Sequence, residues 1–231
     1  MQKESKVIKI DKNNYLNYYL YKPDKFKENL PVILFLHGIG ERGTNISDIE
    51  KYSLPKYLKN IDIPFIVIAP QCLENNFWEY HLRDVEKIMD IALKFNADMV
   101  VCDYILEYKK NKYDKENIFL AGSSMGAYGA WNYLIQRPDL FKGIISVAGG
   151  IMLPIKQNIE KVKNKKILMY HGDKDDVVDV NVSIKTYEKL KDGNAKDVEL
   201  KIINNDNHFL TSHAFKDQYI YEWLEKKVKE K

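Results

Sequence analysis

An α/β fold with a mainly parallel, doubly wound sheet is predicted by three features of this chain. Short, continuously apolar runs recur along it, at residues 31–37 (PVILFLH), 65–69 (FIVIA), 118–121 (IFLA), 143–148 (GIISVA) and 166–170 (KILMY). Unbroken apolarity is what a strand covered on both faces requires. Segments of helical periodicity separate most of these runs, and strands alternating with helices are the pattern of parallel crossover units. Each run also empties into a glycine-rich or polar loop, the place where open parallel sheets hold their ligands.

The remaining elements fit around that frame. Residues 7–10 and 15–21 (YLNYYLY) read as an antiparallel N-terminal edge hairpin joined around 11–14, and 198–203 (VELKII) as a last strand. Helices are expected at 47–59, 82–112, 126–136, 182–191 and 212–229, the last carrying Phe215, Tyr219, Tyr221, Trp223 and Leu224. Between Gly150 and the strand at 166 there is room for one short amphipathic helix, so little or no cap domain is expected. Residues 82–96 are the other stretch able to wall a site, which should be open and shallow. With no internal repeat and no low-complexity linker, residues 1–231 read as a single domain.

Composition excludes several classes of function. Lys+Arg 36 against Asp+Glu 33 gives a formal charge of only +3, and Lys226, Lys227, Lys229 and Lys231 crowd the tail. Such a balance does not suggest nucleic-acid binding. No apolar run approaches membrane-spanning length, and the opening MQKESKVIKI lacks the apolar core of a secretory signal. The two cysteines, Cys72 and Cys102, read as free thiols, which makes a reducing cytoplasm the expected location.

Chemistry concentrates in three segments. Gly122-Ser123-Ser124-Met125-Gly126 lies between a strand and a helix. This is the setting in which G-x-S-x-G forms a sharp turn that presents a serine hydroxyl above the sheet. The phase of the glycines selects Ser124 over Ser123 as nucleophile. Downstream, 166–170 empties into HGDKDDVV and 198–203 into NNDNH. Serine, then acid, then histidine, each past the end of a strand, gives Ser124, Asp175 and His208 as a catalytic triad. Asp173 is the alternative acid, and His213 the alternative base. Asp176 and Asp179 are placed to cap the following helix. His37 and His171 each precede a glycine at a strand end and read as loop-holding residues, and His81 as a rim residue.

A tetrahedral intermediate needs two N–H donors for its oxyanion. Met125, after the nucleophile, supplies one. The loop His37-Gly38-Ile39-Gly40-Glu41-Arg42-Gly43 supplies the other, from Ile39 or alternatively Gly40, with Glu41 and Arg42 placed to pin the loop. Gly40, Gln71 and Trp78 are candidate substrate-binding residues, Gln71 near the oxyanion loop and Trp78 as a pocket wall. Neither H-E-x-x-H nor clustered Cys/His spacing occurs, so no metal and no cofactor are expected.

HGIGERG, IAPQC followed by Trp78, GSSMGAYGAW, RPDLFKGIISVAGG, HGDKDDVV and NHF together resemble the small α/β-hydrolase esterases. The likeness is to the predicted-peptidase and phospholipase/carboxylesterase-like branch related to the prolyl oligopeptidase catalytic domain. It runs from about Pro31 to Trp223, departing at Ala127, where a second glycine is common, and at Leu73, where proline is. The resemblance implies an α/β-hydrolase fold and a serine esterase acting on small to medium carboxylic esters, with feruloyl and acyl-sugar esters among family substrates. A peptidase or acyl-protein thioesterase is the alternative within the fold, and a non-catalytic binding protein the alternative outside enzymes. The expected partner is a small-molecule ester, and an edge strand or the helix face near Trp223 offers a route to a homodimer.

Overall fold

The structure, a computed structural model, describes residues 1–9, 15–25, 29–78 and 113–230. Side chains alternate along its strands, and that alternation builds two cores. In β3 (Leu30–Leu36), Val32, Leu34 and Leu36 enter one buried cluster while Ile33 and Phe35 enter the other. The same split occurs in β4 (Ile66–Pro70), with Ile66 and Ile68 opposed to Val67 and Ala69. A strand buried on both faces has no polar face to offer water, which is why these segments read as unbroken apolar runs.

Eight described strands form one sheet in the order β1-β2-β4-β3-β5-β6-β7-β8. The others are β1 (Gln2–Lys9), β2 (Tyr15–Lys22), β5 (Tyr113–Ser123), β6 (Gly143–Val147), β7 (Lys166–Gly172) and β8 (Val198–Ile203). The hairpin β1–β2 is antiparallel, paired from Gln2↔Lys22 to Lys9↔Tyr15, and β2 joins β4 antiparallel. All the remaining pairings are parallel. The C-terminal ends of β3, β4, β5, β6, β7 and β8 therefore share one edge.

Helices cover both faces. On one lie α2 (Met125–Gln136), α3 (Lys156–Val162) and α4 (Asn181–Asp192), through Trp131, Leu134, Val162 and Leu190. On the other lie α1 (Ser53–Tyr57) and α5 (Gln218–Lys229), through Leu54, Ile220, Trp223 and Leu224. Each of these larger apolar side chains, removed from water, contributes about 1.5–3 kcal/mol before entropy is counted. Residues 151–164 contain only the short helix α3, so no cap is built there.

Two expected helices are broken. The segment 47–59 divides into a 3-10 turn (Ile46–Glu50) and α1. Ser53, at φ +55°, turns the chain sharply between them, and Pro55 falls in the first turn of α1, where its missing N–H costs nothing. The segment 212–229 begins as two 3-10 turns, His208–Ser212 and Ala214–Lys216. Regular helix starts only at Gln218, where the Asp217 carboxylate accepts the Tyr219 N–H at 3.0 Å. The helix expected at 82–112, with His81 and Cys102, lies outside the described residues. Among those described, no helix is long and apolar enough to cross a membrane.

Candidate active site

β5 ends at Ser123 and α2 begins at Met125, leaving Ser124 alone to reverse the chain. It does so at φ 54° and ψ −121°, a strained conformation for a residue with a Cβ. The turn is held from both sides: Ser124 N–H donates to the Val147 carbonyl at 2.9 Å, and the Ser124 carbonyl accepts from Ala127 and Tyr128. The flanking glycines are dictated by space. A Cβ on Gly122 would stand 2.2 Å from the Gly126 carbonyl oxygen, and one on Gly126 would stand 1.9 Å from that of Leu36.

Past β7, Asp175 is fully buried as a side chain and well supplied with donors. Its Oδ1 accepts the N–H groups of Val177 at 2.9 Å and Val178 at 2.8 Å. His171, buried at the end of β7, places Nε2 3.2 Å from Asp175 Oδ2 and donates it to the Val178 carbonyl at 2.9 Å. Burial lowers the His171 pKa, so the imidazole holds this loop as a neutral ring. Past β8, Asn207 caps the turn that starts at His208, its side chain accepting the Phe209 N–H at 2.9 Å.

These segments meet. His208 Nδ1 lies 2.8 Å from Asp175 Oδ2, and His208 Nε2 lies 3.0 Å from Ser124 Oγ. With the carboxylate able only to accept, Nδ1 carries the proton and Nε2 is left facing the serine hydroxyl as an acceptor. The other polar candidates are engaged elsewhere. His213 Nε2 pairs with Asp206 at 2.8 Å, Asp179 accepts the Asn181 N–H at 2.8 Å, and Asp173 is exposed. Ser123 Oγ is buried 3.0 Å from Ser53 Oγ.

The loop after β3 comes up beside the elbow. A Cβ on Gly38 would lie 3.8 Å from Ser124 Cβ. His37 fixes the loop's start: its Nε2 accepts the Cys72 N–H at 2.9 Å, so Nδ1 carries the hydrogen and donates to the Gly38 carbonyl at 2.6 Å. Burial pushes His37 down to about 4, keeping it neutral. The following residues Ile39–Glu41 form a 3-10 turn. Neither the Ile39 N–H nor the Met125 N–H has an acceptor among the described residues.

A cleft of about 310 Å³ opens over Ser124 and His208, lined also by Gly38, Ile39, Gly40, Tyr52, Ser53 and Phe209. Gly40 and Ile39 therefore stand at the cleft, but two expected substrate contacts do not. Trp78 is 1% exposed, packed edge-on against His37 and so close to Gly129 that a Cβ there would sit 2.2 Å from the Trp78 Cβ. It is packed in the core beside α2, where the missing side chain of Gly129 lets the Trp78 backbone and Cβ approach the helix closely. Gln71 is buried too, its Nε2 donating to the carbonyls of Glu41 at 3.0 Å and Asn45 at 2.9 Å. It braces the loop from behind. Conversely, nothing local in the sequence marks Ser53, Tyr52 or Phe209 as cleft residues, whereas an acid three positions after Gly38 is a spacing that signals the turn.

The sequence pattern of the phospholipase/carboxylesterase family matches residues 23–227. The chain belongs to that family. A relative from Xylanibacter ruminicola, an endo-1,4-beta-xylanase/feruloyl esterase, is 30% identical over 216 residues, covering 86% of this chain and 27% of the relative. The chain thus spans about a quarter of that protein's length. A thermostable esterase superposes with TM-score 0.78 at 25% identity, covering 97% of this chain and 62% of the other. Est1E from Butyrivibrio proteoclasticus superposes with TM-score 0.69 at 17% identity, covering 98% and 99%. The chain therefore has the α/β-hydrolase fold, with the antiparallel hairpin β1–β2 at one edge. Among its described residues, no cluster of three or more His, Cys, Asp or Glu is arranged to hold a metal ion.

Proposed function

We propose that this chain is a serine esterase that hydrolyses small to medium carboxylic esters through an acyl-serine intermediate. The observation that carries the reading is the unbroken hydrogen-bonded line from Ser124 Oγ through His208 to the buried Asp175. Ser124 Oγ attacks the ester carbonyl while His208 Nε2 takes its proton. Asp175 holds the ring and stabilises the imidazolium, its own Oδ1 held in place by two backbone N–H donors. The N–H groups of Ile39 and Met125 receive the oxyanion, each donor contributing on the order of 100–1000-fold to turnover. Collapse of the intermediate expels the alcohol, which takes the proton back from His208. A water, deprotonated by the same imidazole, then releases the acid.

The exposed apolar side chains of Ile39, Tyr52 and Phe209 at the cleft suit an apolar or aromatic acyl group. That property, with the feruloyl esterase relative, favours aromatic carboxylic esters among the candidates. The alternative within the fold, a peptidase or thioesterase, requires amide or thioester substrates to outrun oxygen esters.

The test is turnover of p-nitrophenyl butyrate together with labelling by a fluorophosphonate. Wild type should turn over the ester and take up one label, and Ser124→Ala should do neither while remaining folded. Undiminished turnover in Ser124→Ala removes the reading, and full rate in His208→Ala removes the base assignment.

A further inference from the structure

Glu41 ends the 3-10 turn of the loop after β3, and its side chain folds back beneath that turn. Oε2 accepts the Gly38 N–H at 2.9 Å, the Glu41 N–H donates to the Gly38 carbonyl at 3.3 Å, and the Glu41 carbonyl takes its hydrogen bond from Gln71. The residue is 2% exposed, and Oε1 is a buried oxygen without a partner among the described residues, as is Gln71 Oε1. This is an unusual position for an acid. A buried carboxylate with one N–H donor, and with no ion pair among the described residues, carries a large desolvation cost. A proton on the carboxyl cancels the charge and converts one of two orphaned acceptors into a donor.

Among the described residues, the groups facing Glu41 do not supply a counter-charge in contact. Lys51 favours the ionised form from a distance but pairs with Asp48 at 3.1 Å. Arg42 directs its guanidinium to the Asn76 carbonyl and over the Phe77 ring. His37, from the end of β3, is neutral, and Gln71 presents its amide from the segment after β4. From the elbow come the hydroxyls of Ser123 and Ser124, and across the cleft stands His208 with Asp175 behind it.

We propose that Glu41 is a positioning residue that, as a neutral carboxylic acid, occupies the Gly38 N–H and so leaves the next N–H, that of Ile39, for the oxyanion. Its ionisation sets a negative charge beside the place where the oxyanion develops, and the reaction slows. The proposal rests on the esterase reading above. Burial pushes the Glu41 carboxyl up to about 8, opposed by the Gly38 N–H and Lys51, which puts the change within reach of an ordinary pH profile.

The experiment measures kcat and KM for p-nitrophenyl butyrate from about pH 6 to about pH 10, spontaneous hydrolysis subtracted, in wild type, Glu41→Gln and Glu41→Ala. Glu41→Gln keeps the acceptor for Gly38 and cannot ionise. In wild type kcat should fall about tenfold above pH 8, whereas Glu41→Gln should hold its rate across the range. Glu41→Ala should lose roughly tenfold or more in kcat near neutral pH with KM little changed. Unfolding supplies a second readout: Glu41→Gln should gain stability relative to wild type as pH rises from about 5 to about 8. An alkaline fall that persists in Glu41→Gln, or unfolding curves that stay parallel, overturns the proposal. A wild-type profile flat through about pH 9.5 overturns it with no variant needed. Turnover surviving in Ser124→Ala sinks the esterase reading instead, so the two failures are distinct.

Discussion

The Ser53 hydroxyl donates to the Thr211 carbonyl at 2.7 Å, across 158 residues of chain, and thereby ties α1 to the turn that carries His208. Because that bond uses the only Ser53 hydrogen, the Ser123 hydroxyl donates to Ser53 Oγ at 3.0 Å and links the elbow strand to the same point. Three separate segments are thus fastened at one buried oxygen beside the cleft.

Ser53→Ala should expose what this junction does. Alanine keeps the Cβ and hence the strain at φ +55°, so the change isolates the hydroxyl. Leaving the Thr211 carbonyl and the Ser123 hydroxyl without their partner should cost about 1–3 kcal/mol in urea unfolding. Loosening the His208 turn should lower kcat roughly 10- to 100-fold, with KM held.

The strain at Ser124 predicts a separation of stability from activity. Ser124→Ala retains a Cβ at φ 54°, whereas Ser124→Gly relieves it. Both variants should be inactive. Relief of about 1–2 kcal/mol, less the extra chain entropy of glycine, should leave Ser124→Gly melting about 2–4 °C above Ser124→Ala. Equal melting temperatures would show that the elbow is unstrained.

His37 predicts an acid weakness. Its folded pKa, about 4, is depressed below the ordinary 6.5, so between those values the unfolded chain binds a proton that the folded chain does not. Its contribution is whole above pH 6.5 and is lost as pH falls to about 4, a loss of about 3 kcal/mol. Glu41 acts with the opposite sign, since its raised value favours the folded state at low pH and loses that advantage as pH climbs to about 8. Removing the opposing group in Glu41→Gln should therefore unmask the acid slope, measured as unfolding free energy at several pH values between 4 and 6.5.

Phe209 predicts where selectivity resides. It is 62% exposed at the cleft, next to His208 in the chain, and contributes little to the core. Phe209→Ala should raise KM for an aromatic acyl ester several-fold, up to about tenfold, and leave acetate esters almost unchanged, with melting temperature within a degree or two. Equal effects on both esters would place the acyl group elsewhere.

Much of this was legible in the residues themselves. Apolar runs named the parallel strands, because a strand covered on both sides has no choice of composition. G-x-S-x-G named the elbow, because Gly122 and Gly126 stand where any Cβ would collide with backbone. Each of Ser124, Asp175 and His208 follows a strand, and parallel strands bring their C-terminal ends to one edge. What remained hidden depends on contacts between distant segments. A helical period continues through 47–59, yet the chain turns sharply at Ser53, whose hydroxyl meets Thr211 and Ser123. An aromatic after IAPQC reads as a cleft wall, yet Trp78 is buried in the core, its backbone and Cβ close against Gly129 of α2. Local chemistry determined which groups this chain brings to its sheet edge. Only tertiary packing decided which of them face the cleft and which are sealed behind it, because burial and hydrogen-bond partners are properties of neighbours that the chain order does not supply.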